Sequence, residues 1–392
     1  MSRNLLNLWA RPVPEGGEYP NSGRQFEIDL VKCISILILP LCHMCEEFVQ
    51  METYLEPTIV PTPEGIFNGI CEFCWGTAGA PVFMFCLGAG IVYSRRTSFG
   101  YLAARSGKTL IMALLLSLFT QTISLLIHGL LENSPELIHQ AVGWLFCCDI
   151  LGFAALTFLF FALVMRFRIP NLIVLLIPVI LLIISMFVPV NLCADNIVAA
   201  DLIGWFFWQN TTYSFFPFCQ WLIFPAAGYI FAQFLRNTTD KTKFYKRLMI
   251  TGISVFAVFT AVLLLLGVNI TLFFTTYGGA VYNHDIVSAA WNVSFILFEM
   301  GLFYFISRLF RTDSTGHRFV TYISRSLITL YCIQWLIIAF TYYWILPALG
   351  VLPLYGWGFV LAAACVYAAL FTITIGYQQV KKRIRAGRTV NA

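Results

Sequence analysis

Between Glu27 and Glu47 the chain reads EIDLVKCISILILPLCHMCEE, an apolar run broken by groups that hydrocarbon does not accept without compensation. Glu27, Asp29 and Lys32 open the run, and Pro40 and His43 stand near its far end. Wound as a helix, it sets Lys32 and His43 about 16 Å apart along the axis with azimuths about 20° different. One face then carries Asp29, Lys32 and His43, with Asp29 and Lys32 close enough to pair at i, i+3. Glu46 and Glu47 follow His43 at i+3 and i+4, the spacing at which a carboxylate can reach an imidazole and hold one tautomer. An imidazole so held can take a proton from a hydroxyl or an amine. His43, Glu47 and Asp29 are therefore the candidate catalytic residues.

Other polar groups in apolar surroundings are few. Asp149 is expected inside the fourth apolar span and Glu299 in the eighth, each as a polar tie between helices or as part of a substrate or proton path. The remaining histidines, His128, His139, His284 and His317, fall in or beside the expected loops. Most of the twelve cysteines lie in apolar segments, where cysteine is a small buried hydrophobe. Cys71-x-x-Cys74 and Cys42-His43-x-Cys45 have metal or redox spacing, but neither has a partner pair that the sequence identifies. The expectation is no metal site and no disulfide framework.

The elements that must position these residues follow from composition. Of 392 residues 59% are hydrophobic and 11% charged, with mean hydropathy +0.80, against about a quarter charged in soluble domains. Apolar runs of about 20 residues without strand alternation argue for helices that cross a bilayer. Ten are expected: 28–48, 72–93, 108–130, 142–165, 170–192, 214–235, 248–274, 286–307, 324–346 and 357–379. Segments 1–27, 94–107, 166–169, 236–247, 308–323 and 380–392, with Lys32, Lys108 and Arg325, hold all 24 lysines and arginines. The opposite loops hold none. This asymmetry predicts an all-α polytopic bundle of about ten transmembrane helices, N-in and C-in; the expected location is the cell (plasma) membrane. A cytosolic tail (1–27) without a signal-peptide core, a membrane domain (28–379) and a basic cytosolic tail (380–392) follow. The net charge of +5 is confined to the inner loops, which argues for topology and anionic lipid rather than nucleic acid.

The outer loops are acidic and aromatic: Glu52, Glu56 and Glu64 in the first, Asp195, Asp201, Trp205 and Trp208 in the long third, Tyr277 and Tyr282 in the fourth. Trp and Tyr at this level form an interfacial belt in most membrane proteins. The run GWFFWQNTTY also suits a platform for stacking a sugar ring, with Trp205, Trp208 and Trp221 as candidate acceptor contacts. On the inner side, Arg95, Arg96, Arg105 and Lys108 surround the mouth of the second and third spans, where a phosphate-rich ligand could meet them.

The run R-x-x-E-I-D-L-x-K followed by histidine (Arg24, Glu27, Asp29, Lys32, His43) resembles the first helix of membrane acyltransferases. These are the acyltransferase 3 family and the heparan-α-glucosaminide N-acetyltransferase-like proteins, whose pattern is arginine, ten residues, histidine. Here Lys32 stands at the arginine position, keeping the charge but not the planar fork. AGAPVFMFCLGAGIVYSRR is similar to the family's second helix, with Leu87 in place of its serine, and YLAARSGKTL to the start of its third. FPFCQWLIFPAAGYIF, with Pro217, Trp221 and Gly228, resembles its F-P-x-x-x-W…G segment. SRSLITLYCIQW resembles G-R-x-S-L-x-x-Y-x-x-H-W: Arg325, Tyr331 and Trp335 match, Leu327 replaces the serine and Gln334 the histidine.

The resemblance spans about residues 24 to 345. It implies acyl transfer from a small-molecule donor, cytosolic acyl-CoA (acetyl-CoA), to a glycan or lipid-linked acceptor beyond the bilayer, with His43 as base or acyl carrier. Lys32, Arg95, Arg96, Arg105, Lys108, Arg325 and Tyr331 are then the donor-side candidates. A small-solute or lipid transporter or flippase using Asp149, Glu299 and His43 is the alternative, although no repeat of broken helices supports it. A sensor or scaffold is a third reading, weakened by the lack of a soluble domain.

Overall fold

A computed structural model describes residues 19–49, 63–209, 213–275 and 277–390. Glu52 and Glu56 lie outside them, as do the side chains of Glu64 and Tyr277. The described residues form helices α1 (Phe26–Phe48), α2 (Pro63–Gly76), α3 (Ala80–Val92), α4 (Phe99–Leu131), α5 (Pro135–Leu145), α6 (Ile150–Phe167) and α7 (Asn171–Ser185). After them come α8 (Ile197–Gly204), α9 (Phe218–Asn237), α10 (Lys241–Leu265), α11 (Ile286–Ser307), α12 (Thr315–Arg325), α13 (Leu327–Leu349) and α14 (Gly356–Val390). No strand occurs among them, only one isolated bridge between Cys148 and Ser214.

Nine spans among the described residues are long and apolar enough to cross a membrane, α2 and α3 together forming the second, Gly65–Val92. The expected fifth span, 170–192, is the shorter apolar helix α7, fifteen residues or about 22 Å long. The chain turns away from it after Ser185. The expected fourth span, 142–165, is two helices. α5 ends at Leu145 and α6 begins at Ile150, so Asp149 is not inside a span but caps α6, accepting from Gly152 N at 2.8 Å. A carboxylate that takes a free amide at a helix start is more stable there than in mid-bilayer.

α1 is the buried element of the bundle, packed against α2, α3, α11, α12, α13 and α14. Its start is tied by charge. Glu27, 3% exposed, accepts Lys241 Nζ at 2.6 Å and Tyr245 Oη at 3.0 Å. Asp29 pairs with Arg24 and accepts Ser324 Oγ at 2.7 Å, so its partner is Arg24 rather than the expected Lys32. At the other end the Phe48 carbonyl accepts Leu354 N at 2.8 Å.

α3 and α9 approach backbone to backbone. A Cβ at Gly88 would lie 1.8 Å from the Pro225 carbonyl oxygen, and one at Gly228 would lie 1.9 Å from that of Phe85. Small residues that allow such contact replace the missing hydrophobic drive between helices in lipid. Gly228→Ala is expected to cost roughly 1–3 kcal/mol by overpacking. A lower unfolding temperature of the purified variant in detergent would show it, and an unchanged one would contradict this packing.

Candidate active site

At the end of the bundle where α1 finishes lies a cavity, open to the outside in part. His43, Glu46 and Glu47 enter it from α1, Trp75 from α2, and Ala80 from the start of α3. Ser117, Thr120 and Gln121 come from α4, Cys147 and Asp149 from the α5–α6 turn, and Tyr331 and Trp335 from α13. Trp144, Phe215, Phe216 and Tyr282 complete an aromatic wall.

Local structure explains how these side chains converge. α4 contains a π-helical turn at Leu118–Thr122, which turns Thr120 and Gln121 inward. Such insertions are common at functional sites. The Tyr343 hydroxyl, from a second π-helical turn at Thr341–Ile345, donates to Gln121 Oε1. The Cys148 carbonyl accepts Phe215 N at 3.2 Å and Phe216 N at 3.1 Å, placing both rings in the wall. Tyr282 donates to Glu46 Oε1 at 3.3 Å, and Trp221 Nε1 holds the Tyr282 carbonyl at 3.1 Å. The Tyr331 hydroxyl lies beside the Asp149 carboxylate.

His43 is 4% exposed, and its ring packs against Trp335 with centroids 4.1 Å apart. Its Nδ1 lies 3.5 Å from Gln334 Nε2. Gln334 from α13 is thus a neighbour of the ring that comes from another helix, while Glu46 and Glu47 line the same cavity further along α1. Sequence spacing could not find this contact because 291 residues separate the partners. The one pointer was the alignment of Gln334 with the family's second histidine.

Of the expected catalytic residues, His43 and Glu47 share the cavity, and Asp29 does not: it sits about 21 Å earlier along α1 in its ion pair. Of the donor-side residues, only Tyr331 lines the cavity. Lys32 is half-buried in α1, and among the described residues no carboxylate lies within ion-pair distance of it. Arg95, Arg96, Lys108 and Arg325 are exposed at the basic end, and Arg105 is half-buried with its guanidinium over the Phe158 ring at 4.1 Å.

None of Trp205, Trp208 and Trp221 lines the cavity. Trp205 Nε1 donates to the Phe146 carbonyl at 2.8 Å and its ring covers Gly152, Trp208 packs on the core, and Trp221 is fully buried. Trp205 and Trp208 remain half-buried. Nearby, burial pushes the Asp201 carboxyl up to about 7. Glu299 is not among the residues that line the cavity, and its Oε2 is buried and unpartnered.

An all-α polytopic bundle that encloses a histidine, three carboxylates and an aromatic wall at one end defines a membrane-embedded site for a polar reaction. Residues 25–376 match the acyltransferase domain of the acyltransferase 3 family, and the chain belongs to that family of membrane acyltransferases. No curated protein and no solved structure shows significant similarity to it. No group of three or more His, Cys, Asp or Glu side chains suited to a metal ion is found among the described residues.

Trp205→Phe, which removes one buried hydrogen bond, is expected to lower stability by about 1 kcal/mol. It should leave the acyl-transfer rate of the folded protein unchanged. A selective loss of transfer at unaltered melting temperature would restore the stacking platform.

Proposed function

We propose that this membrane acyltransferase takes an acetyl group from cytosolic acyl-CoA and passes it to a carbohydrate or other cell-surface acceptor on the opposite side of the plasma membrane. The observation that carries the reading is His43, buried in a cavity with Glu46, Glu47 and Asp149 at the end of α1 opposite to the cations. The complete partition of lysine and arginine supports a cytosolic place for both chain ends, with the short helix α7 counted as a tenth crossing.

On the donor side, Lys32 is the cation with access to the bundle interior, about 16 Å along α1 from His43. Arg95, Arg96, Arg105, Lys108 and Arg325 gather around the same end, where coenzyme A phosphates would find compensating charge. An acyl chain on a long thiol arm would then extend along α1 toward the cavity. Tyr331 and Trp335, from α13, wall its far end.

On the acceptor side, the chemistry requires removal of a proton from a hydroxyl or amine as it attacks the thioester carbonyl. The structure sets Gln334 Nε2 against Nδ1 and leaves Oε1 unpartnered; with the carboxamide turned over so that Oε1 faces the ring, Nδ1–H donates to Gln334 and the ring Nε2 is left as the proton acceptor. The orientation of a glutamine amide follows from its hydrogen bonds, and this one gives Oε1, otherwise unpartnered, a donor. Trp335 packs against the imidazole and keeps bulk water from that side. Glu46 and Asp149 are already held by Tyr282 and by the α6 amide, which leaves them as fixed negative charges that favour the protonated ring as it forms.

The direct test incubates the purified protein in lipid nanodiscs with labelled acetyl-CoA and a cell-surface glycan fraction, scoring CoA release and acylated product. His43→Ala should reduce transfer by about 10²–10⁴-fold while the protein remains folded. Wild-type activity in that variant would remove His43 from the reaction. Transfer without CoA release, supported by another donor, would overturn the donor assignment. Lys32→Arg should retain far more activity than Lys32→Ala, chiefly through the Michaelis constant for the donor. Equal constants would make the Lys32 charge incidental.

A further inference from the structure

Two cysteine pairs that the sequence leaves separate meet in space. Cys42 and Cys45 stand one turn apart on α1, on either side of His43, and Cys71 and Cys74 stand one turn apart on α2. Cys45 Sγ lies 3.5 Å from Cys71 Sγ, and Cys42 Sγ lies 3.5 Å from the Cys71 carbonyl oxygen. All four are free thiols. Cys45 is fully buried and Cys71 nearly so, in an apolar cluster with Met44, Phe48, Ile338 and Leu346. Cys74, at the inner turn of α2, is half-buried.

Apolar packing alone accounts for one buried cysteine. It does not require four, as two i, i+3 pairs on neighbouring helices with their sulfurs in contact. A disulfide needs an S–S separation of about 2.05 Å. The two sulfurs, 3.5 Å apart, are already in van der Waals contact across the α1–α2 interface. The pair also lies at the end of the bundle opposite to the cations, the side that the charge partition assigns to the exterior, where disulfides persist.

We infer that Cys45 and Cys71 form a reversible disulfide that clamps α1 to α2 beside the cavity. The co-reactant is a disulfide. Cys45–SH and Cys71–SH together with R–S–S–R give Cys45–S–S–Cys71 and two R–SH; the two thiols are oxidised, the incoming disulfide is reduced, and both protons leave on the released thiols. Exchange begins at the most accessible thiol, Cys74, which forms the mixed disulfide. Cys71 displaces R–SH from it, and Cys45 then attacks Cys71 and releases Cys74 as a thiol. The bond links the helix that carries His43, Glu46 and Glu47 to the helix that carries Trp75, so two walls of the cavity become covalently joined. This holds whatever acyl donor and acceptor the cavity serves.

The test uses the full-length protein in isolated membranes, treated with hydroxyethyl disulfide or with a phosphine reductant, blocked with a maleimide and mapped by peptide mass spectrometry. The expected result is a Cys45–Cys71 linked peptide, lighter by two hydrogens than its two parts, that the reductant abolishes. Cys45→Ser and Cys71→Ser should each remove it and Cys193→Ser should not. Recovery of Cys45 and Cys71 from the treated wild type only as free thiols or as mixed disulfides with the reagent overturns the inference. So does a link that joins Cys71 to Cys42 or Cys74 instead, or one zinc ion per chain in the protein as isolated. The wild-type map decides even if a serine variant fails to fold.

Discussion

A carboxylate inside hydrocarbon costs several kcal/mol unless a partner compensates it, and the placement of α1 is the solution to that constraint. Glu27 and Asp29 would be expelled to the interface if α1 faced lipid. Enclosed by six other helices, they meet Lys241, Tyr245, Arg24 and Ser324, which belong to the N-terminal segment, α10 and α12. The same pairs fix the rotation of α1 about its axis. Once Asp29 is turned toward Ser324, helical geometry decides which way His43 points, about four turns later. The ion pairs at one end thereby set the azimuth of the imidazole at the other.

Much of this was legible in the chain. The bilayer writes its thickness into run lengths and its voltage side into lysine and arginine, so the spans and the basic end could be read without contacts. What failed did so where irregular backbone enters. Residues 142–165 look like one span because Cys147 and Cys148 are as apolar as their neighbours, yet the local rule for Asp149 is the helix-start rule rather than the hydropathy rule. α7 is the mirror case: hydropathy continues past Ser185, but the helix does not. Aromatic composition likewise cannot separate a stacking surface from packing. None of Trp205, Trp208 and Trp221 lines the cavity, and the wall was built from Trp75, Trp144, Phe215, Phe216, Tyr282 and Trp335.

The imidazole contact exposes a second limit. Spacing on one helix suggested Glu46 or Glu47 as its partner, and both do share its cavity, but Gln334 arrives from another helix and meets the ring first. A neutral partner differs chemically from a carboxylate. It can orient the ring by hydrogen bonding without adding charge that would hold a proton on it at rest.

The cysteines close the argument because they obey both readings at once. Each is small and apolar enough to satisfy a helix interface in lipid, which is why composition treats them as filler. Their register is a separate property: the i, i+3 spacing puts each pair on one helical face, and the contact between α1 and α2 turns those faces toward each other. Hydrophobic packing requires only that these positions be small and apolar, a condition that alanine meets without redox chemistry. Sulfurs in contact beside His43 add a property that packing does not use. The helix that the ion pairs at its start orient is thus also the one whose far end a thiol pair is placed to lock.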